Sequence, residues 1–221
     1  METLALRRTI STNYHPSMMS SKRIAIVTCS TREPRLNPFI TRYVLDIVSR
    51  EVGSENIDIV DLSQQNLPLY NEPEVPSHLP EDNPTPHYKQ QHTQEWSTTV
   101  RRYGAFIFVT PQYNWSIPAS LKNALDYLFY EWKGKPAAIV TYGGRGGGKA
   151  AGHLQQILQG LRMRVIAPTP GLCVKTSWLS GCVEANQISL EDQYNLRESG
   201  AEVQISSMYL ELLAELQKDE A

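Results

Sequence analysis

The chain has 221 residues, 41% apolar and 20% charged, with a formal net charge of −2. That length builds one globular core without disulfides or a structural metal, and so small a charge gives no field to attract nucleic acid or anionic lipid. Cys29, Cys173 and Cys182 are widely spaced, with no C-x-x-C pair and no histidine at ligand spacing; they read as buried thiols in a reducing compartment, with no metal site. No run approaches the roughly 18 apolar residues of a membrane span, so a soluble chain is expected.

Residues 1–21 are polar, carry Arg7 and Arg8, and are expected to form a disordered N-terminal extension. A single domain then runs over 22–221. Ile24 to Cys29 reads as a strand buried on both faces. Ile40, Val44, Ile47 and Val48 recur at helical spacing up to a stop at Gly53, and Ile57 to Leu62 is the second strand. A loop rich in Pro, Asn and Glu runs from Leu67 to about Gln90, a length that is either functional or mobile. A helix over Gln94 to Tyr103 leads into the most apolar strand, Ala105 to Thr110. After a loop from Pro111 to Ile117, the residues Leu121, Leu125, Leu128, Phe129 and Trp132 mark an amphipathic helix that tolerates Pro118 in its first turn and ends at Gly134. Ala137 to Thr141 is a fourth strand, followed by a glycine loop and a helix through Leu154, Ile157, Leu158 and Leu161. A fifth strand at Arg164 to Ala167 and a helix over Val203 to Leu216 complete the series. This alternation predicts a doubly wound α/β domain whose parallel strands are joined by helical crossovers.

In such sheets ligands bind beyond the carboxyl ends of the strands. The loop after the first strand offers Ser30, Arg32, Arg35 and Asn37 just before a helix, where unpaired N–H groups and the helix dipole favour a phosphate. The same residues also suit an ordinary cap beside solvated arginines. The loop lacks a G-K-[ST] ending, so its phosphate ligand would be a monophosphate. Tyr142 to Gly148 holds five glycines in seven residues, which either brings backbone N–H groups close to a ligand or makes a flexible turn. In the loop Pro111 to Pro118, Tyr113 and Trp115 suit the walls of a planar ring, with Gln112 and Asn114 bonding its heteroatoms; packing is the alternative use of the aromatics.

Together these loops resemble the NADPH-dependent FMN reductase family, which includes small quinone and azo-dye reductases. The segment PQYNWSIPASLKNALDYL, Pro111 to Leu128, is similar to that family's P-x-Y-N-x-x-x-P-x-x-L-K-N-A-x-D pattern at every named position, and the resemblance extends from about Lys22 to Lys175. It implies a flavodoxin-like five-stranded parallel sheet in the order 2-1-3-4-5 with helices on both faces. It implies FMN as cofactor, its phosphate held by Ser30, Arg32, Arg35 and Asn37. The isoalloxazine edge would meet Pro111, Gln112, Tyr113 and Asn114, with Trp115 as a further ring contact and Tyr142, Gly143 and Gly144 beside the ring. Two positions depart from the family. Cys29 stands where members commonly have Gly, so the turn there must avoid positive φ. Arg35 stands where many carry serine.

The implied activity is transfer of hydride from NADPH or NADH through FMN to a quinone, flavin or similar small acceptor, by a ping-pong mechanism. Hydride passes directly between the rings, so no catalytic side chain is nominated. A homodimer or homotetramer in the cytoplasm is expected, without nucleic-acid or membrane partners; the helix Leu121 to Trp132 would pack on a partner subunit or lay its stripe on the sheet. The alternatives are a flavodoxin-type one-electron carrier, although such carriers tend to be strongly acidic, and a flavin-dependent sensor. A serine hydrolase fits poorly, because no G-x-S-x-G elbow occurs and His15, His78, His87, His92 and His153 show no evident acid–serine pair.

Overall fold

The computed structural model describes residues 22–52 and 56–218. The expected N-terminal extension and the helix stop at Gly53 lie outside them. Six strands, β1 Arg23–Thr28, β2 Ile57–Asp61, β3 Tyr103–Pro111, β4 Pro136–Gly143, β5 Arg164–Val165 and β6 Gly171–Cys173, form one parallel sheet. Its order is β2-β1-β3-β4-β5, with β6 also pairing with β4. The flavodoxin-like order is thus the one expected. Seven helices are described: α1 Asn37–Val52, α2 Gln91–Arg101, α3 Ala119–Asp126, α4 Gly148–Gly160, α5 Trp178–Ala185, α6 Leu190–Glu198 and α7 Ala201–Gln217.

Successive strand residues point to opposite faces, and here both sets are apolar. Ile24, Ile26, Ala105, Ile107, Val109, Ala138 and Val140 pack under α1 and α7, with Trp178 of α5 and Leu196 of α6. Ala25, Val27, Phe106, Phe108, Ala137 and Ile139 pack under Trp96 of α2, Leu121 and Leu125 of α3 and Leu154 of α4. The sheet is therefore covered on both sides, which is why its strands lack polar alternation.

Three stretches differ from expectation. The fifth strand is split, because Pro168 and Pro170 cannot donate to a ladder; β5 pairs beside the start of β4 and β6 beside its end. The helix expected over Leu121 to Trp132 stops at Asp126, and its stripe, Leu121 and Leu125, faces the sheet. Beyond it, Tyr127 and Tyr130 turn towards the long loop, donating to the carbonyls of Pro68, Leu69 and Ser77. Helices α5 and α6 were not anticipated; the Ser189 side chain accepting from the Asp192 amide was a readable cap signal for α6.

The long loop is pinned across α3. Asn123 accepts from the Tyr70 amide and donates to the Pro68 carbonyl. Buried Glu72 accepts from the amides of Lys89 and Gln90, tying the two ends of the loop together. Cys29 and Cys182 are buried, as expected of free thiols, but Cys173 at the end of β6 is exposed.

Candidate functional site

Parallel strands deliver their following loops to one end of the sheet, so the loops after β1, β3 and β4 meet there. The first is braced from within. Asn37, fully buried, accepts from the Ser30 amide at 2.7 Å and donates to the Val109 carbonyl at 3.0 Å, so both ends of its side chain are occupied in stapling the loop to β3. Cys29 is not among the non-glycine residues with positive φ, so the turn accommodates it without left-handed strain.

Ser30 Oγ lies 2.8 Å from the Tyr113 hydroxyl, which joins the first loop to the loop after β3. The Arg32 guanidinium stands 5.4 Å from the centre of the Tyr113 ring and has no carboxylate partner among the described residues. Arg35 is committed elsewhere. It forks onto Asp61 at 2.8 and 2.7 Å and also donates to the Ser30 carbonyl and the Ser63 hydroxyl. Partial burial would raise the Asp61 carboxyl, but the Arg35 fork and two Ser63 bonds outweigh it and hold the group below its ordinary value.

The loop after β3 makes a tight turn closed by reciprocal bonds between the Tyr113 and Ser116 backbones, each 2.9 Å. Asn114 and Trp115 both have positive φ, 45° and 68°, the conformation of a type I′ turn. Asparagine adopts it readily. A bulky aromatic seldom does, and this indole is 71% exposed with the Lys149 ammonium 5.2 Å from its centre. Gln112 accepts from the amides of Lys149 and Ala150 at the start of α4 and donates its own amide to the Tyr142 carbonyl. Pro111 is the last residue of β3, in register with Tyr142.

In the glycine loop the residues divide into two uses. Gly146 and Gly147 have φ of 77° and 81° and pack so tightly that a Cβ would stand 3.1 Å from the Gly171 carbonyl oxygen and 2.9 Å from the Thr141 Cβ. A Cβ on Gly143 would find nothing nearer than 3.7 Å and one on Gly144 nothing within 4 Å. Gly148, at the start of α4, is likewise open. Tyr142 itself is buried, and burial, with the nearby Tyr113 and Cys29, pushes its phenol far up, so it stays neutral.

All twelve residues singled out from the sequence therefore stand on these three loops or at the element ends that flank them, but Arg35 and Asn37 are occupied in holding the first loop. The contact sequence reasoning missed is Asp61, 26 residues from Arg35 and on another strand. Ser116 also pairs with His153 Nδ1, 37 residues away and on another element, a contact that no local sequence pattern marks. Among the described residues no carboxylate bonds the other ring nitrogen, so this pair is not a nucleophile triad. No helix among the described residues is long and apolar enough to cross a membrane.

A family model described as NADPH-dependent FMN reductase matches residues 22–173. The chain is 41% identical over 159 residues to the NAD(P)H-dependent FMN reductase LOT6 of Saccharomyces cerevisiae, covering 69% of this chain and 80% of that one. It is 32% identical to an NADPH:quinone oxidoreductase of Arabidopsis thaliana over 61% of this chain and 65% of that one. Among solved structures, the flavoenzyme NAD(P)H:(acceptor) oxidoreductase FerB of Paracoccus denitrificans superposes with a TM-score of 0.61 at 19% identity, covering 89% of this chain and 98% of that one, a likeness of fold.

Proposed function

The chain belongs to the NADPH-dependent FMN reductase family, and from that premise we propose how its own residues serve an FMN-dependent NAD(P)H oxidoreductase. The observation that carries the reading is the junction of Ser30, Arg32 and Tyr113, where a buried hydroxyl and an uncompensated guanidinium meet an aromatic turn. That donor set suits a phosphate monoester. Ser30 and Arg32 hold the phosphate, while Asn37 and Arg35 fix the loop that presents them. The room beside Gly143 and Gly144 would suit the flat ring, with Pro111, Gln112, Tyr113, Asn114 and buried Tyr142 as the residues that would hold it.

FMN, when bound, would supply the two-electron chemistry by which hydride from NADPH or NADH reaches a quinone, flavin or similar small acceptor. The side chains hold, orient and exclude water. Exposed Trp115 offers an outer aromatic surface for the ring of donor or acceptor, and Lys149 beside it favours anionic ligands. A donor and an acceptor that used the same face of the bound ring would bind in turn. Exposed Leu69, Tyr70 and Val75, on the loop that wraps α3, support a homodimer or homotetramer. A cytoplasmic location belongs to the same proposal.

Initial rates measured against NADPH at several quinone concentrations are expected to give parallel lines, and heat-released flavin is expected to chromatograph as FMN. Intersecting lines with electrons delivered singly to a protein acceptor would favour the carrier, and recovery of FAD alone would remove the cofactor assignment. Arg32→Ala removes charge-assisted bonds of about 1.5–3 kcal/mol. The expected loss of FMN affinity is about ten- to a hundredfold. A flavin titration that finds no change would leave the first loop as a cap only.

A further inference from the structure

The Arg35–Asp61 contact is the best-defined polar cluster at the site that no flavin contact explains. Both side chains are largely shielded, at 10% and 13% exposure. A guanidinium paired bidentately with a carboxylate is planar and fixed in direction. Its Nη1 also donates to the carbonyl of Ser30, the residue whose hydroxyl meets Tyr113. Asp61 is itself oriented, since one carboxylate oxygen accepts from both the amide and the hydroxyl of Ser63. The cluster therefore ties the end of β2 to the backbone of the loop after β1, on the side away from the Asn37 staple to Val109 of β3. The loop is held to both neighbouring strands.

We propose that Asp61 is a positioning residue for the phosphate of the flavin: by holding Arg35 it sets the Ser30 backbone, and it leaves Arg32 as the cation that faces the ligand. The inference rests on the phosphate reading of this loop given above. Asp61 needs no contact with the ligand. Its own negative charge, close to where a phosphate would sit, is tolerable only because Arg35 neutralises it. Removing Arg35 alone should therefore harm phosphate binding more than removing both partners, an ordering that a plain loss of packing would not produce.

The test is titration of flavin-stripped full-length protein with FMN and, separately, with riboflavin, which lacks the phosphate. Wild type is expected to prefer FMN. Asp61→Asn is expected to lose about tenfold or more of its FMN affinity, the size of a charge-assisted contact, with riboflavin affinity unchanged. Arg35→Ser is expected to lose more, and Arg35→Ser combined with Asp61→Asn to recover part of that loss. Equal wild-type affinities for the two flavins would remove the phosphate reading itself. A wild-type preference for FMN that Asp61→Asn leaves intact would overturn the clamp and spare that reading. Equal losses for both flavins in Asp61→Asn, or no recovery in the double variant, would likewise reduce the cluster to fold support.

Discussion

Gly147→Ala is expected to destabilise the protein by about 2–5 kcal/mol and to abolish tight FMN binding. The residue has φ of 81°, a left-handed conformation that costs an L side chain about 1–2 kcal/mol. The new Cβ would also stand 2.9 Å from the Thr141 Cβ and 3.1 Å from the Tyr142 carbonyl oxygen. Neither neighbour can retreat, because both belong to β4, a central strand hydrogen-bonded on both sides. The backbone must move instead, and it moves at the residues that border the proposed ring space. Gly148→Ala is the internal control, since a Cβ there meets nothing within 4 Å and φ is not positive. Urea unfolding of the two variants beside a flavin titration checks the claim. Equal midpoints for Gly147→Ala and Gly148→Ala would show that the loop relaxes without cost.

Trp132→Ala is expected to lower stability by about 3–5 kcal/mol, the range for removing a large buried aromatic. Trp132 is 1% exposed, with ring centres 5.0 Å from Phe106, 6.0 Å from Trp96 and 6.2 Å from Phe108, and its indole N–H donates to the Leu125 carbonyl. It therefore links α2, the turn after α3 and the strand that leads into Pro111. Truncation leaves a cavity among side chains held by the sheet; the Leu125 carbonyl loses the indole but keeps the amides of Tyr127 and Leu128. Trp132→Phe should cost less, because it keeps most of the ring contact and loses the N–H. Thermal and urea unfolding read both changes. A loss below about 1 kcal/mol for the alanine variant would mean that the neighbours collapse into the space.

Much of this protein follows from local sequence. Strands such as Ile24 to Thr28 and Ala105 to Thr110 are apolar at consecutive positions, which only a sheet covered on both faces accommodates. Helices between them force parallel strands, and parallel strands carry the loops around Ser30, Tyr113 and Gly143 to one end. That suffices for the fold, the family and the neighbourhood of the site. The division of labour within the site depends on partners distant in the chain. Asn37, Arg35 and Arg32 look alike as polar residues of one segment, yet Asn37 is consumed by a carbonyl 72 residues away and Arg35 by a carboxylate 26 residues away, while Arg32 meets no carboxylate among the described residues. The same holds for the α3 end, where aromatic hydroxyls find carbonyls of the long loop, and for the split edge strand, whose two pieces are aligned only by β4. Periodicity and composition report what a segment must bury; which polar groups then pair is fixed by distances across the packed structure, and those exist only once it has folded.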